Sequence, residues 1–371
     1  MNCVDPHGGL DLAVAPRVPP IPQLDRYLLK RGDVLFNATN SPELVGKCAV
    51  FGGHTERVTF SNHFLRLRVL RDRLDPAYLA RWLAFLWHRR VFQTMCAQWV
   101  NQASVRKERL LQLKPPLPLL AEQRRIAAVL DKADAVRRKR QESLRLLDEF
   151  LRSAFLEMFG DPVRNEKGWE AVALGTVAAV VGGLQVTPLR AGYGRERPYL
   201  RVANVYRDRL DLTEVKYIGV TGEELDRTRL RAGDLLIVEG HGNREEIGRS
   251  AVWDGSIEDC VHQNHLIRAR VDEHRADPHY VSSFLNSAAG RRQMGRYGKT
   301  TSGLNTISTG NVKRIEILLP PLRMQRTYVR LLGEVTEARK RCQAAQRHSD
   351  LLFNALAHRA FGASHAPSIR D

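Results

Sequence analysis

The stretch Leu119–Pro162, LLAEQRRIAAVLDKADAVRRKRQESLRLLDEFLRSAFLEMFGDP, decides the fold of this 371-residue chain. No glycine or proline occurs between Ala121 and Phe159, and most residues there favour the α-helix. Apolar residues recur every three or four positions, which places them along one side of a single long helix. Such a helix would be roughly 58 Å long, so one small core cannot cover it and it needs a partner helix. Gly160-Asp161-Pro162 ends it.

An internal repeat supplies the partner helix. Over most of the chain, residues recur at an offset of 202 positions. The clearest matches are Gly46 with Gly248, Asn62-His63 with Asn264-His265, Asp75-Pro76 with Asp277-Pro278, Tyr78 with Tyr280, Gln123-Arg124 with Gln325-Arg326 and Phe159-Gly160 with Phe361-Gly362. Upstream the offset is one residue shorter, as in Gly32-Asp33 and Gly233-Asp234. We therefore predict a second long helix from Met324 to Ala360, interrupted only by Gly333.

The repeat predicts an α/β (α+β) chain in which two tandem globular units are each followed by a long helix. The boundaries we expect are 1–117 and 163–319 for the globular units, 118–162 and 320–362 for the helices, and 363–371 for a tail. The second unit begins with segments that nothing in the first unit matches. The first unit is therefore expected to be truncated at its amino terminus, unless the true start lies upstream of Met1.

Apolar residues on the two long helices are the expected contacts between them. These residues are Ile126, Val129, Leu144, Leu147, Leu151, Leu352 and Leu356.

The globular units show short strands and one clear helix start. In the first unit, Val34-Leu35-Phe36, Ala49-Val50-Phe51 and the segment 64–69 read as strands. Asp75-Pro76 predicts the start of a helix, because aspartate caps the first turn and proline fits within it. The aromatic and leucine residues that follow it are expected to lie in the core, namely Trp82, Phe85, Leu86 and Phe92.

Composition points to a polyanionic partner. The formal net charge is +17 with a pI near 10.1, and the basic excess is spread along the chain and carried mainly by arginine. No apolar run could span a bilayer and the amino terminus lacks the pattern of a signal peptide, so a cytoplasmic protein without membrane contact is expected. The five cysteines are widely separated and form no CxxC pair, which predicts reduced thiols and no zinc site.

Motifs for catalysis are absent. Gly295-Arg-Tyr-Gly298-Lys299-Thr300 has its glycines too close together for a phosphate-binding loop. Asp211 with Glu214 and Lys216 is too short a set for a nuclease site. No tetrapeptide for amino-methyl transfer and no HExxH zinc motif occurs. We therefore expect a chain without its own catalytic site and without a bound metal.

At this point a family resemblance is clear. The run LLAEQRRIAAVLDKADAVRRKR with FLEMFGDP, the returning PPLRMQR and the duplicated globular units resemble the specificity (S) subunit of type I restriction-modification systems. The resemblance implies two target-recognition domains that each read half of a bipartite sequence in double-stranded DNA. It also implies two long helices that form an antiparallel coiled-coil spacer with an internal pseudo-two-fold repeat.

The same resemblance implies partners and cofactors. Two methyltransferase (M) subunits would dock on the helices and use S-adenosylmethionine to methylate adenine. Restriction (R) subunits would add ATP- and Mg-dependent translocation and cleavage. This chain would bind none of these cofactors itself.

Residue type and loop position select candidate DNA contacts, because Asn, Gln and Arg side chains pair with base edges and phosphates. In the first unit we expect Asn37, Asn40, Lys47, Asn101, Gln102 and Arg106 to face DNA. In the second unit the candidates are Arg190, Arg195, Arg197, His241, Asn243, Arg244, Lys299, Thr300 and Asn305. The paired His63 and His265 favour a structural hydrogen-bonding role over a DNA contact.

Other classes of protein remain open from sequence alone. A basic coiled-coil scaffold could bind nucleic acid without sequence specificity, although single-strand binders use aromatic platforms and aromatic residues make up only 7% of this chain. An S subunit made inactive by truncation is a second alternative. A single-chain restriction enzyme is disfavoured by the missing methyltransferase tetrapeptide. Sequence-dependent DNA binding would separate an active S subunit from the first two alternatives.

Overall fold

The structure, a computed structural model, describes residues 3–19, 23–99, 102–301 and 304–362, with the backbone alone for 97–99 and 299–301. The chain divides into two units. Unit 1 contains the described residues up to Leu144 together with those from Arg341 onward, and unit 2 runs from Arg145 to Lys340. Each unit therefore holds one globular part and one portion of each long helix.

Unit 1 is built on two small antiparallel sheets. Its first elements are β1 (Val34–Asn37), β2 (Thr39–Asn40), β3 (Cys48–Val50), β4 (Phe64–Leu67), α1 (Pro76–His88), α2 (Val91–Met95), β5 (Ala97–Trp99), β6 (Gln102–Ser104) and α3 (Lys107–Leu111). The strands pair in the orders β3-β1-β4 and β2-β6-β5. Helix α4 (Leu120–Phe159) follows and continues into unit 2.

Unit 2 repeats both sheets and adds others. Its elements are β7 (Glu170–Ala173), β8 (Ala178–Gly182), β9 (Glu196–Leu200), β10 (Val205–Tyr206), β11 (Arg209–Leu210), β12 (Lys216–Gly219), α5 (Gly222–Thr228), β13 (Leu235–Val238), β14 (Gly240–His241), β15 (Ser250–Val252), β16 (Val261–His262), β17 (Leu266–Val271), α6 (Pro278–Asn286), α7 (Ala288–Tyr297), β18 (Lys299–Thr301), β19 (Leu304–Thr306), α8 (Thr309–Lys313), β20 (Glu316–Leu319) and α9 (Leu322–Phe361). The orders β15-β13-β17 and β14-β19-β18 match the two sheets of unit 1, and β8 extends the first of them. A third sheet, β12-β9-β16, and the pairs β10-β11 and β20-β7 have no counterpart among the described residues of unit 1.

The local predictions from sequence are largely confirmed. The three predicted strands of unit 1 form one sheet, and the Asp75 side chain caps α1 by accepting hydrogen bonds from the backbone N–H groups of Ala77 and Tyr78. Trp82, Leu86 and Phe92 are buried, although Phe92 belongs to the separate helix α2. The expected interruption at Gly333 is wrong, because α9 continues through it.

A buried glutamine joins each long helix to the globular part before it. The Gln123 side-chain oxygen accepts a hydrogen bond from the backbone N–H of Asp75 at 2.9 Å, and its amide nitrogen donates to the carbonyls of Arg73 and Pro118. In unit 2, Gln325 accepts from the backbone N–H of Asp277 at 2.9 Å and donates to the carbonyl of Pro320. These glutamines explain why Gln-Arg and Asp-Pro recur together.

A tyrosine and a phenylalanine complete the same junction. The Tyr78 hydroxyl donates to the carbonyl of Pro116 at 3.1 Å, and the Tyr280 hydroxyl donates to the carbonyl of Leu318 at 3.0 Å. The Tyr78 ring packs on Phe361, and the Tyr280 ring packs on Phe159. The end of a long helix thus packs on α1 in unit 1 and on α6 in unit 2.

The two helices run antiparallel within each unit and share a repeated ion pair. In unit 1, the Arg137 Nε lies 2.7 Å from Asp350 Oδ1 and its guanidinium packs over the Phe353 ring. In unit 2, Arg339 pairs with Asp148. These two residues are the repeat counterparts of Arg137 and Asp350. The same interaction therefore sets the helix register in both units.

Not every predicted helix contact lies between the helices. Leu151 is buried, and Ile126, Leu144, Leu147 and Leu356 are partly buried. Val129 and Leu352 are 37% and 51% exposed, so the prediction that they pack between the helices is wrong. The next residue in each helix, Leu130 or Phe353, lies in the core instead. Each helix therefore turns toward its partner the apolar position that follows the predicted one.

All five cysteines are free thiols, of which Cys48 and Cys260 are buried. Among the residues described, no helix is both long and apolar enough to cross a membrane.

Replacing the buried glutamine should destabilise its unit. We expect Gln325→Leu to lower the free energy of unfolding of unit 2 by about 2–4 kcal/mol, because the N–H of Asp277 and the carbonyl of Pro320 lose their partner while buried. Chemical denaturation followed by hydrogen exchange would measure this. The neighbouring exposed Arg326→Leu is the control and should change stability by less than about 0.5 kcal/mol. Equal losses for both variants would contradict the role of Gln325.

Candidate nucleic-acid interface

Three chain segments meet at one end of the main sheet of unit 2. Val238, the last residue of β13, pairs with Leu266, the first of β17, and Ile267 pairs with Gly182, the last of β8. The segments next to these strand ends are consequently neighbours. We call this surface the sheet-end surface; its segments are 183–186, 239–244 and 263–265.

Backbone hydrogen bonds fix these segments to one another. The N–H of Glu239 donates to the carbonyl of His265 at 2.8 Å, and the N–H of Asn264 donates to the carbonyl of Leu184 at 2.8 Å. The N–H of Ile307, just after β19, donates to the carbonyl of Glu239 at 2.9 Å. The polar side chains here are thus presented by a rigid backbone.

The loop after β14 displays a polar and basic tip. Asn243 accepts a hydrogen bond from the N–H of Glu245 at 3.0 Å, and its own N–H donates to His241 Nδ1 at 2.9 Å. The Arg244 guanidinium donates to the carbonyl of Gly295 at 2.8 Å. Asn243 and Arg244 are exposed and His241 is partly exposed. These three predicted residues therefore lie together on the sheet-end surface.

The small sheet β14-β19-β18 carries the remaining candidates of this region. Asn305 is only 8% exposed, and its side-chain nitrogen donates to the carbonyls of His241 and Gly242. It supports the loop from beneath, so the expectation that it lies on an exposed loop is wrong. Lys299 and Thr300 lie on β18, opposite Thr306 and Asn305, and their side chains lie outside the described part of the chain.

Unit 1 builds the same surface from equivalent segments. The N–H of Ala38, the counterpart of Glu239, donates to the carbonyl of His63 at 2.8 Å. Asn40 lies on β2 and is partly exposed, whereas Gln102 on β6 and Arg106 at the start of α3 are exposed. Asn101 lies outside the described residues. The surface repeats in position while its side chains differ.

Two predicted contacts in unit 1 are buried instead. Asn37 is completely inaccessible at the end of β1. Lys47 is 7% exposed, its Nζ donates to the carbonyl of Val4 at 2.6 Å, and burial lowers its pKa. The expectation that these two face DNA is wrong, because residue type and a nearby turn do not reveal which side of a strand points inward.

Two of the three loop arginines of unit 2 are already paired. Arg190 donates to both Glu224 carboxylate oxygens at 2.8 and 2.9 Å, a pairing that raises the pKa of Arg190 and lowers that of Glu224. Arg197 lies 3.1 Å from Asp259. Arg190 is therefore held by Glu224 and Arg197 is only partly accessible, so their contacts with DNA stay predictions. Arg195 is exposed and has no side-chain partner among the described residues.

The paired histidines contribute structure through their backbone. The carbonyls of His63 and His265 accept the hydrogen bonds that fix the residue after β1 and after β13. Their imidazoles remain partly exposed on the surface. The expected structural role therefore belongs to the carbonyl group, and the imidazole is accessible to a ligand.

Sequence reasoning missed Glu239. Its side chain is 28% exposed, and Oε2 lies 4.0 Å from His265 Nδ1. Burial raises the pKa of Glu239 to about 7. The signal was available in the repeat, because Ala38 stands at the equivalent position of the first unit.

No cluster of three or more His, Cys, Asp or Glu side chains that could hold a metal ion occurs among the described residues. The sheet-end surface offers hydrogen-bond donors and acceptors, not a set of reacting groups.

Comparison with known proteins identifies similar chains. The family model described as type I restriction modification DNA specificity domain matches residues 20–146. The EcoKI specificity subunit of Escherichia coli K12 is 30% identical over 238 residues, which cover 59% of this chain and 50% of that protein. The matched region thus spans about half the length of that relative.

Two further comparisons extend the likeness along the chain. The putative MjaX specificity subunit of Methanocaldococcus jannaschii is 24% identical over 331 residues, covering 84% of this chain and 73% of that protein. The type I S subunit from M. genitalium has a similar fold, with a TM-score of 0.56, 13% identity, and coverage of 91% of this chain and 84% of that one. The resemblance drawn from the motifs around the first long helix is confirmed.

The raised pKa of Glu239 predicts a pH-dependent stability. Because the folded state binds the proton more tightly than the unfolded state, stability is full below pH 4.5 and is lost as the pH rises to about 7. Glu239→Gln should remove this loss, so the variant should be more stable than the wild type by roughly 1–2 kcal/mol at pH 8 and equal to it at pH 4.5. Urea denaturation at both pH values measures the difference, and an equal gain at both would contradict it.

Proposed function

We propose that this chain is the DNA-specificity subunit of a type I restriction-modification complex. In this proposal each unit reads one half of a bipartite target in double-stranded DNA. The recognition domains are 1–117 and 163–319, and the segments 118–162 and 320–362 form an antiparallel coiled-coil spacer. The chain has no catalytic site of its own.

The repeated sheet-end surface carries the proposal. Unit 1 and unit 2 both fix a polar loop against an Asn-His segment by the same backbone hydrogen bond, yet the side chains on the two surfaces differ. A protein that reads two different short sequences needs one scaffold used twice with different exposed residues. A scaffold without sequence specificity has no such need.

The exposed residues have the chemistry that base reading requires. Arginine pairs with the O6 and N7 atoms of guanine, and asparagine and glutamine pair with the N6 and N7 atoms of adenine. On unit 2 these roles fall to Arg244 and Asn243, and on unit 1 to Arg106, Gln102 and Asn40. The net charge of +17 supplies attraction to the phosphate backbone.

Catalysis and cofactors belong to partner subunits in this proposal. Two methyltransferase subunits dock on the long helices and carry S-adenosylmethionine, and restriction subunits carry ATP and Mg. The exposed apolar residues Val129 and Leu352, which the helix pair leaves uncovered, are candidates for this docking.

Methylation in cells tests the proposal directly. Single-molecule sequencing should find a methylated adenine motif in cells that express this chain with its methyltransferase subunit, and none in cells that express the methyltransferase subunit alone. Two specified half-sites separated by a fixed unread gap are expected. A motif with one specified half would mean that only one unit reads DNA, and the absence of any chain-dependent motif would refute the proposal.

The salt dependence of DNA binding tests the position of Arg244. If its guanidinium contacts a phosphate, Arg244→Ala should reduce the slope of log K against log salt by about one. If it reads a guanine, the slope should hold while the preference at one base pair is lost.

The control is Arg231→Ala, an exposed arginine just before the other end of β13, which should change neither quantity. Arg195→Ala tests a more distant site. The last residue of β9 lies beside Gln263 of the sheet-end surface, whereas Arg195 precedes the first residue of β9. Unchanged slope and preference for Arg244→Ala would remove that residue from the interface.

A further inference from the structure

We propose that Glu239 is a specificity-determining residue of unit 2, whose carboxylate accepts a hydrogen bond from the exocyclic amine of a cytosine in the major groove. This inference rests on the proposed function and names the base chemistry that one of its surfaces recognises.

The backbone around Glu239 holds its side chain in place. Its N–H donates to the carbonyl of His265 and its carbonyl accepts from the N–H of Ile307, so both main-chain groups are engaged with neighbouring segments. Glu239 joins β13 of the main sheet to β14 of the small sheet. Glu239 therefore lies on the sheet-end surface with its carboxylate beside His265, and β14, which follows it, leads into the loop that carries Asn243 and Arg244.

The charge of Glu239 is unexpected on a surface that faces a polyanion. Phosphates repel a carboxylate, and Glu239 has no arginine or lysine ion pair among the described residues; its Oε2 lies 4.0 Å from His265 Nδ1. Glu246, later in the same segment of the chain, differs from it, because it pairs with Arg249 at 2.7 Å. An uncompensated carboxylate on this surface is explained if a base supplies its partner.

The chemistry of the carboxylate selects the base. An ionised carboxylate only accepts hydrogen bonds. In the major groove the cytosine N4 amine is the donor that Glu and Asp recognise. Guanine and thymine present acceptors instead, and adenine presents its N6 amine beside the N7 acceptor, which repels a carboxylate. Burial disfavours the ionised form of Glu239, and a base that donates a hydrogen bond to the carboxylate stabilises that form.

The repeat provides an internal comparison. Ala38 in unit 1 makes the same backbone hydrogen bond to His63 that Glu239 makes to His265. The fold of this position therefore does not require a carboxylate. At this position unit 2 has a carboxylate and unit 1 has an alanine. Such a difference is expected of a residue that distinguishes one half-site from the other.

Selection from a pool of duplexes with randomised positions tests the inference. The full chain, in complex with its methyltransferase subunit, is used to select bound DNA, and wild type is compared with Glu239→Gln and Glu239→Ala. The wild type should specify a cytosine in the half-site read by unit 2. Glu239→Ala should lose preference at that single position by about fivefold or more, and Glu239→Gln should shift it toward adenine, because glutamine pairs with adenine.

Controls separate this inference from the proposed function. Glu258→Gln removes an exposed carboxylate near the other end of the main sheet and should leave every position unchanged. If both Glu239 variants select the same sequence as the wild type, or if the half-site of unit 2 specifies no cytosine, this inference is refuted and the proposed function stands. If the wild-type complex selects no sequence, both are refuted.

Discussion

The structure depends on one buried side-chain amide in each unit. Gln123 and Gln325 are 1% and 0% exposed, and each satisfies backbone groups at the start of α1 or α6 and in the proline-containing segment before its long helix. A buried amide that lost these partners would be costly, so the geometry of the junction is strongly fixed. The sheets, and with them the loops at their ends, are therefore held in a defined orientation to the long helix of the same unit.

The repeat is kept where geometry allows no alternative and varies elsewhere. Gly46 and Gly248 both have positive φ. A Cβ on Gly46 would collide with Phe92 of α2, and a Cβ on Gly248 would collide with Met294 of α7, the repeat counterpart of Phe92. Asp33 and Asp234 precede β1 and β13, and each binds an arginine through both carboxylate oxygens. Arg68 follows the adjacent strand β4, and Arg270 lies in the adjacent strand β17. Ala38, which is 6% exposed, and Glu239, which is partly exposed, are at equivalent positions that carry no such constraint, so the two recognition surfaces can differ there.

Many arginines of this basic chain serve the fold. Arg190, Arg137 and Arg249 are largely buried and pair with carboxylates, so they neutralise charge inside the protein. The residues available to a polyanion are the exposed ones at the sheet ends, such as Arg244 and Arg106. High pI therefore indicates the class of partner, whereas the position of contact depends on which guanidinium groups the fold has already used.

The sequence by itself determined the long helices, the repeat, the first strands of unit 1 and the helix start at Asp75-Pro76, because periodicity and capping are local properties that neighbouring residues specify. It also carried the resemblance that the comparisons confirm. Only the tertiary structure decided which candidates are accessible: it buried Asn37 and Lys47, and it brought Glu239 beside His265 across strands. Burial and ion pairing depend on residues far apart in the chain, and no local pattern records them.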